Sequence, residues 1–293
     1  MRPQRLVTLL LLTFSLTACN WQEVSVSSNP ATDASGKTLA ARIVFLAGRD
    51  SHGPLAHEHK AGSELLASAL RKQHPGFETV NIYGGWPEDD SILASADALV
   101  LYCDGGKGHL INEHLDTFDR LVNQGVGVVA LHYCVEVPRD SPSSNSMLNA
   151  IGGYFETDWS VNPHWEADFT SLPKHPVTKN IRPFTMLDEW YFNMRFQPGM
   201  EGVTPLLRAI APDHTMERSN GAHSGNYAVR KLVADRVPQV TAWAYERAGG
   251  GRGFGFTGGH FHANWENDSA RQLVLNAIVW SSGKQGMPWG ASE

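Results

Sequence analysis

Residues 97–133 read DALVLYCDGGKGHLINEHLDTFDRLVNQGVGVVALHY, and this stretch decides the fold. Its two ends, 97–103 and 126–133, are near-continuous apolar runs of the kind that form strands buried on both faces. Between them, 112–124 (NEHLDTFDRLVNQ) is amphipathic at helical spacing. Two fully apolar strands joined through a helix make a parallel pair, covered above and below.

The same alternation extends outward. Residues 42–48 (RIVFLAG) are another buried-strand run, and 57–73 place Ala61, Leu65, Leu66, Ala69 and Leu70 at helical spacing. His74-Pro75-Gly76 stops that helix. A strand at 78–83 (ETVNIY) and a short helix near 90–95 follow. The pattern predicts an α/β fold with a doubly wound, mostly parallel sheet. Beyond residue 134 it loosens, with strand-like pieces near 164–170, 189–195, 204–210, 239–245 and 252–257, then a final helix at 268–281. No linker or repeat intervenes, so 41–284 reads as one domain with insertions in its second half. The longest is expected at 211–236, where Asn220-Gly221 and Ser224-Gly225 are turn signals.

With 293 residues, 42% of them hydrophobic, the chain can bury a sizeable core. A net charge of -6 and the lack of like-charge runs leave no basic face for nucleic acid. Arg2 and Arg5 precede an apolar run, Leu6 to Leu16, that is short for a membrane span and closes on Leu16-Thr17-Ala18-Cys19. That ending resembles a bacterial lipobox, making 1–19 a lipoprotein signal peptide and Cys19 the lipid-modified first residue; an ordinary signal peptide with an incidental cysteine is the alternative. Asn20, not Asp, points to the outer membrane, facing the periplasm or cell surface. Residues 20–40, rich in Ser, Thr and Ala, read as a flexible tether. The remaining Cys103 and Cys134 are too few for a disulfide scaffold, though they could form one bridge.

Ligands of open α/β sheets bind beyond the carboxyl ends of the strands. After 42–48 come Ser51, His52, His57, Glu58 and His59; after 97–103, Asp104 and His109; at the end of 126–133, His132, Cys134 and Glu136; after 252–257, His260 and His262. Seven of the chain's 13 histidines thus fall at strand exits that share one rim. Such a rim suits a divalent metal of borderline softness, Zn or similar. It also suits metal-free acid–base catalysis or substrate binding by His, or a hydrogen-bonded structural role. The spacing His-x4-His-x-His matches no standard zinc motif.

Other features are weaker. Cys134 lacks the small flanking residues of a nucleophile elbow. Gly105-Gly106-Lys107-Gly108 lacks the full phosphate-loop frame and reads as a glycine turn. Asp188-Glu189 would be solvated unless it faces the rim, where one carboxylate could be a base or ligand. His164-Trp165 and Trp190-Tyr191 offer flat surface for a sugar ring, or simply core.

GRDSHGPLAHEHKAG after the first strand, VVALHY, HPVTKNI followed by DEWYFNM, and GFGFTGGHFHANW before LVLNAIVW resemble the ThuA-like (trehalose-utilisation) family. The resemblance runs from about residue 42 to 283. It implies a flavodoxin-like fold similar to class I glutamine amidotransferases, and a place in bacterial carbohydrate catabolism in which a glycoside is first oxidised to its 3-keto form. A 3-keto group acidifies the proton at C2, so the glycosidic bond can break by elimination; hydrolysis is the other route. Carried onto this chain, the resemblance implies His52, His57, His132 and His260 as ligands or electrophiles, with His59 beside them as a further metal ligand. It makes Glu58, Glu136 and Glu189 base or acid, and Asp104, His109, Trp165, Tyr191 and His262 substrate-binding. Where the amidotransferase fold carries its nucleophilic cysteine this chain reads ALHYCVE, so amidotransferase chemistry is not expected. A non-catalytic carbohydrate-binding lipoprotein and a Cys134-dependent hydrolase are the competing readings.

Overall fold

The computed structural model describes residues 24–27 and 41–284. The signal peptide at 1–19, lipidation of Cys19 and most of the tether at 20–40 lie outside them. Within the tether stretch, Val24–Ser27 forms a strand, β1, paired antiparallel to residues 79–82. Its Val-Ser-Val-Ser alternation suits a sheet edge.

The first half alternates as its pattern predicts. β2 (Ala41–Ala47), α1 (His59–Gln73), β3 (Phe77–Tyr83), β4 (Ala98–Tyr102), α2 (Leu115–Asn123) and β5 (Gly127–Leu131) follow in order. Then come α3 (Pro142–Ile151), β6 (Gly153–Tyr154), β7 (Trp165–Phe169), β8 (Phe184–Asp188), β9 (Arg195–Phe196) and β10 (Val203–Ala209). The chain closes with α4 (Tyr227–Ala234), β11 (Gln239–Glu246), β12 (Arg252–Phe256) and α5 (Asp268–Ser281). Among the described residues no helix is long and apolar enough to cross a membrane.

The main sheet has eight strands in the order β1-β3-β2-β4-β5-β12-β11-β10. β3, β2, β4, β5 and β12 run parallel, while β1, β11 and β10 each pair antiparallel to a neighbour. Taken alone, the parallel strands have the order second, first, third, fourth, fifth, that of flavodoxin-like doubly wound folds. Side chains alternate faces along each strand and both faces are buried. In β2, Ile43 and Phe45 join one core with Leu66 and Leu70 of α1 and Leu273 and Ile278 of α5. Val44 and Leu46 join the other, with Phe118 and Leu121 of α2 and Met147 of α3. This double burial is why the strands carry no polar alternation.

Three second-half expectations change. The piece at 189–195 is no strand: β8 ends at Asp188, and the next residues make only an isolated bridge, Val161 to Phe192. That segment sends Trp190 and Phe192 into the core and, as described below, Glu189 and Tyr191 to the rim. The 211–236 excursion contains α4, capped by Asn226 accepting from the Val229 amide. α3 was not expected at all, although Ser141 caps it, Pro142 opens it and Gly152 ends it in the left-handed region.

Candidate functional site

The exits of β2, β4, β5 and β12 lie side by side at one edge of the sheet. The loop after β2 and the loop after β12 arch toward each other across the ends of β4 and β5. The His57 amide donates to the His260 carbonyl (3.0 Å), the His262 amide donates to the Leu55 carbonyl (2.9 Å), and Ala56 bridges Phe261. Asp188, fully buried at the end of β8, accepts from the amides of Gly259 (2.7 Å) and His260 (3.0 Å), which fixes the second loop.

Under this arch His57, His132, Glu189 and His260 converge. His57 Nε2 lies 3.0 Å from both His132 Nε2 and His260 Nδ1. His260 Nδ1 is 3.3 Å from His132 Nε2. Glu189 Oε2 is 3.1 Å from His260 Nδ1 and 3.5 Å from His132 Nε2. The Tyr191 hydroxyl stands 3.2 Å from His132 Nε2 and donates to Glu189 Oε2 at 3.2 Å. Three histidines at this rim, His52, His57 and His132, have positive φ angles of 62°, 46° and 53°. Such backbone costs about 1–3 kcal/mol per residue and collects at functional sites. His132 takes this conformation directly after β5, so the elbow of the fold presents an imidazole instead of a thiol.

Proton bookkeeping is the decisive feature. A carbonyl oxygen only accepts, so His132 Nδ1, 2.9 Å from the Thr257 carbonyl, carries the hydrogen. His57 Nδ1 faces Asp104 Oδ1 at 3.1 Å. Burial pushes the Asp104 carboxyl up, but hydrogen bonds from His57 and Ser51 outweigh it and hold the group below its usual range. The anion therefore takes the His57 Nδ1 hydrogen. Burial pulls the His57 imidazole down to about 4, so the ring is neutral. The His57 ring thus turns an unprotonated Nε2 lone pair toward His132 Nε2 and His260 Nδ1, each 3.0 Å away. Beside them, burial raises the Glu189 carboxyl, yet its contacts with His132 and His260 outweigh this and keep it ionised. Converging lone pairs and a carboxylate form a cradle for a cation. Ligand atoms about 2.0–2.1 Å from a tetrahedral Zn²⁺ lie roughly 3.3 Å apart; the five separations above run from 3.0 to 3.5 Å, and all four atoms lie within 4.8 Å of one another. The Asp104–His57 and Thr257–His132 contacts fix the two ring orientations in the way that outer bonds do for histidine ligands elsewhere.

The expected roles are redistributed accordingly. His132 and Glu189, expected to be catalytic, sit within the four-residue cluster. His52 lies outside it, its half-exposed ring tilted 35° against that of His57 with centroids 3.8 Å apart. His59 is buried with Nδ1 on the Arg49 carbonyl at 2.8 Å and Nε2 3.9 Å from Asp104, so it backs the site and is no member of the cluster. Asp104, expected to bind substrate, accepts at Oδ1 from Ser51 at 2.7 Å and orients His57 from the rim. Glu58 begins α1, accepts from the Leu55 amide and lies 3.6 Å from His262, so these two pair at the outer rim away from the cluster. His109 is a core residue: it accepts from the Ile111 amide and donates to the Cys134 carbonyl at 2.8 Å. Trp165 is core as well, donating to the Trp190 carbonyl. Cys134 is fully buried, with its thiol pushed up by burial and by Cys103, the reverse of what a nucleophile needs. Cys103 is also free, so no bridge forms.

A cleft of about 300 Å³ opens beside the cluster. His52, His57, Glu189 and Tyr191 form one wall; Tyr133, Asn162, Arg218, Ala222, His223 and Ser224 form the other. Glu136 reaches this second wall through His223, whose Nε2 lies 2.9 Å from both carboxylate oxygens. That contact raises the His223 pKa against the effect of burial. Arg218, His223 and Ser224 come from the excursion between β10 and α4, and Asn162 from the turn before β7. Sequence reasoning missed all four as site residues, because only turn signals mark their segments.

The Gly105-Gly106 turn holds no phosphate-loop geometry. A Cβ on Gly105 would lie 2.3 Å from the Tyr133 carbonyl oxygen and 2.8 Å from that of Glu136, so glycine is there to let the β4 and β5 exits touch.

No functionally curated protein matches the chain by sequence. Two solved structures share its fold. A ThuA-like protein from Bacteroides uniformis is 17% identical with a TM-score of 0.56, covering 87% of this chain and 95% of its own. A ThuA-like protein from Parabacteroides merdae is 16% identical with a TM-score of 0.55, covering 86% of this chain and 93% of its own. The model of the ThuA family, described as trehalose utilisation, matches residues 47–281, which takes in all four rim segments. The chain belongs to the ThuA family.

Proposed function

We propose that this protein is a secreted lipoprotein of carbohydrate catabolism, anchored through Cys19 in the outer membrane, that cleaves 3-keto-glycosides by elimination or hydrolysis with a divalent metal. The observation that carries the reading is the convergence of His57, His132 and His260 ring nitrogens on the ionised Glu189, with His57 Nε2 an open lone pair at its centre. A cation seated among these nitrogens and the carboxylate satisfies all of them at once. His57, His132, His260 and Glu189 would hold an ion of the Zn type. When bound, such an ion polarises a sugar carbonyl and so acidifies the adjacent C–H.

The chain's own groups do the rest. Asn162 donates to Glu189 Oε1 at 3.0 Å and fixes the carboxylate plane. Tyr191, with its hydroxyl raised by burial, stays protonated and hydrogen-bonds at the cluster edge. Of the three carboxylates expected as base or acid, Glu136 alone serves the cleft without belonging to the cluster. With His223 it forms a pair that takes up and returns a proton at the second wall.

Elemental analysis and turnover test this together. The purified protein should carry about one equivalent of metal, and His57→Ala should lose it. A 3-keto-disaccharide should be consumed by the metal-loaded protein and spared after EDTA. If metal-loaded and metal-stripped protein both leave 3-keto-glycosides intact, the enzymatic reading falls. Sugar binding without product would instead make the protein a carbohydrate-binding accessory. The anchor is read separately, as loss of membrane association in Cys19→Ser.

A further inference from the structure

The second wall of the cleft carries a cation that the proposed chemistry does not use. Arg218 is half-buried and lines the cleft. Its Nη2 donates to Asn162 Oδ1 at 3.1 Å, and among the described residues no carboxylate pairs with it. A guanidinium has five N–H donors in a planar fork that matches a carboxylate. Asn162 holds this fork in place and also ties it to the cluster, since its amide nitrogen donates to Glu189. One asparagine side chain therefore separates Arg218 from the four-residue cluster, so one small ligand can touch both.

The charges around the cleft leave Arg218 unbalanced. A divalent ion in the cluster would be neutralised by Glu189 and Asp104. His223 and Glu136 neutralise each other across 2.9 Å. Asp158, whose charge also reaches His223, is exposed and screened by solvent. Arg218 remains as one uncompensated positive charge inside a partly desolvated cleft, where a matching anion gains most.

We propose that Arg218 and Asn162 form a subsite for a carboxylate on the substrate, so that the cleft takes acidic glycosides of the uronate kind in preference to neutral ones. This rests on the reading of the cleft as the substrate site and narrows the substrate class within it. The carboxylate accepts from the guanidinium fork while the sugar's carbonyl side faces the histidines. The volume of about 300 Å³ is at the small end of ligand sites, which suits a ligand of one or two rings.

Calorimetry on the zinc-loaded full chain with D-glucuronate and D-glucose decides it. Glucuronate should bind about tenfold more tightly, the scale of a charged hydrogen bond. That advantage should shrink as salt rises, disappear in Arg218→Gln and survive in part in Arg218→Lys, which keeps the charge without the fork. Equal affinities in the wild type overturn the proposal. So does an advantage that persists in Arg218→Gln, which would put the carboxylate on the metal wall. Zinc content measured on the same samples separates the two ideas: normal zinc without the glucuronate preference sinks only the subsite. A wild-type chain that holds no zinc sinks the metal reading, and the Arg218 comparison is then still read from its own salt dependence.

Discussion

At the scale of single residues, the site depends on which ring nitrogen carries a hydrogen. Asp104 sets this for His57, although it lies in a different loop and outside the four-residue cluster. Asp104→Asn should leave the fold intact, because the group is partly exposed at the rim. It should weaken zinc binding about 10–100-fold, the usual cost of losing a partner behind a histidine ligand. Competition against a chelator measures this, and an unchanged affinity would remove the tautomer account. His59 shows how spacing misleads here. His57 and His59 are two apart, as same-face residues of an extended segment would be. Both rings face Asp104 Oδ1, at 3.1 and 3.9 Å, but His57 has φ of 46° and turns its Nε2 to the cluster, whereas His59 begins α1 with Nδ1 on the Arg49 carbonyl.

Among elements, the important contacts are those between strand exits. The β4 exit touches the β5 exit at Gly105, whose neighbour Gly106 donates its amide to the Glu136 carbonyl at 3.0 Å. Gly105→Ala forces a methyl into backbone that has no rotamer to yield, an overpacking cost of about 1–3 kcal/mol. The thermal midpoint should fall by several degrees. Zinc affinity should fall with it, since Asp104 and His132 are displaced relative to each other. A variant with the wild-type midpoint would show that the two loops are not in rigid contact. The irregular run after β8 is the other informative element. Residues 189–192 alternate between site and core, which looks like a strand in the sequence. Its neighbours make only a bridge to it, because the polar half is drawn to the histidines.

For the molecule as a whole, buried neutral histidines make the metal-free fold acid-sensitive. His57, His74 and His109 are each lowered from 6.5 to about 4 by burial. The unfolded chain binds protons between those values that the folded chain refuses. Their contribution to stability is therefore complete above pH 6.5 and lost as pH falls toward about 4. For the fully buried His109, away from the metal cluster, this amounts to on the order of 3 kcal/mol. Urea unfolding of EDTA-treated protein should show stability declining through that window. The decline should be shallower in His109→Asn. Identical slopes in the two proteins would exclude His109 as a source.

The sequence by itself determined the architecture of the sheet. Continuous apolar strands at 42–48, 97–103 and 126–133, spaced by amphipathic helices, admit little but a parallel sheet buried on both faces. From that sheet it also determined the rim, because ligands of such sheets collect at the carboxyl ends. It located His52, His57, His132 and His260 near the site for this reason, whereas Glu189 and Tyr191 entered through the family resemblance. Only the tertiary structure decided which of them meet. His57 and His260 are 203 positions apart and are joined by backbone pairing of two loops, a contact that leaves no periodic trace in the chain. The structure also sent Glu58 and His109 elsewhere and brought in Arg218 and His223 from an excursion marked only by turns. Burial patterns repeat along a chain and can be read from it, whereas the meeting of particular side chains depends on loop paths and backbone strain that local sequence does not encode.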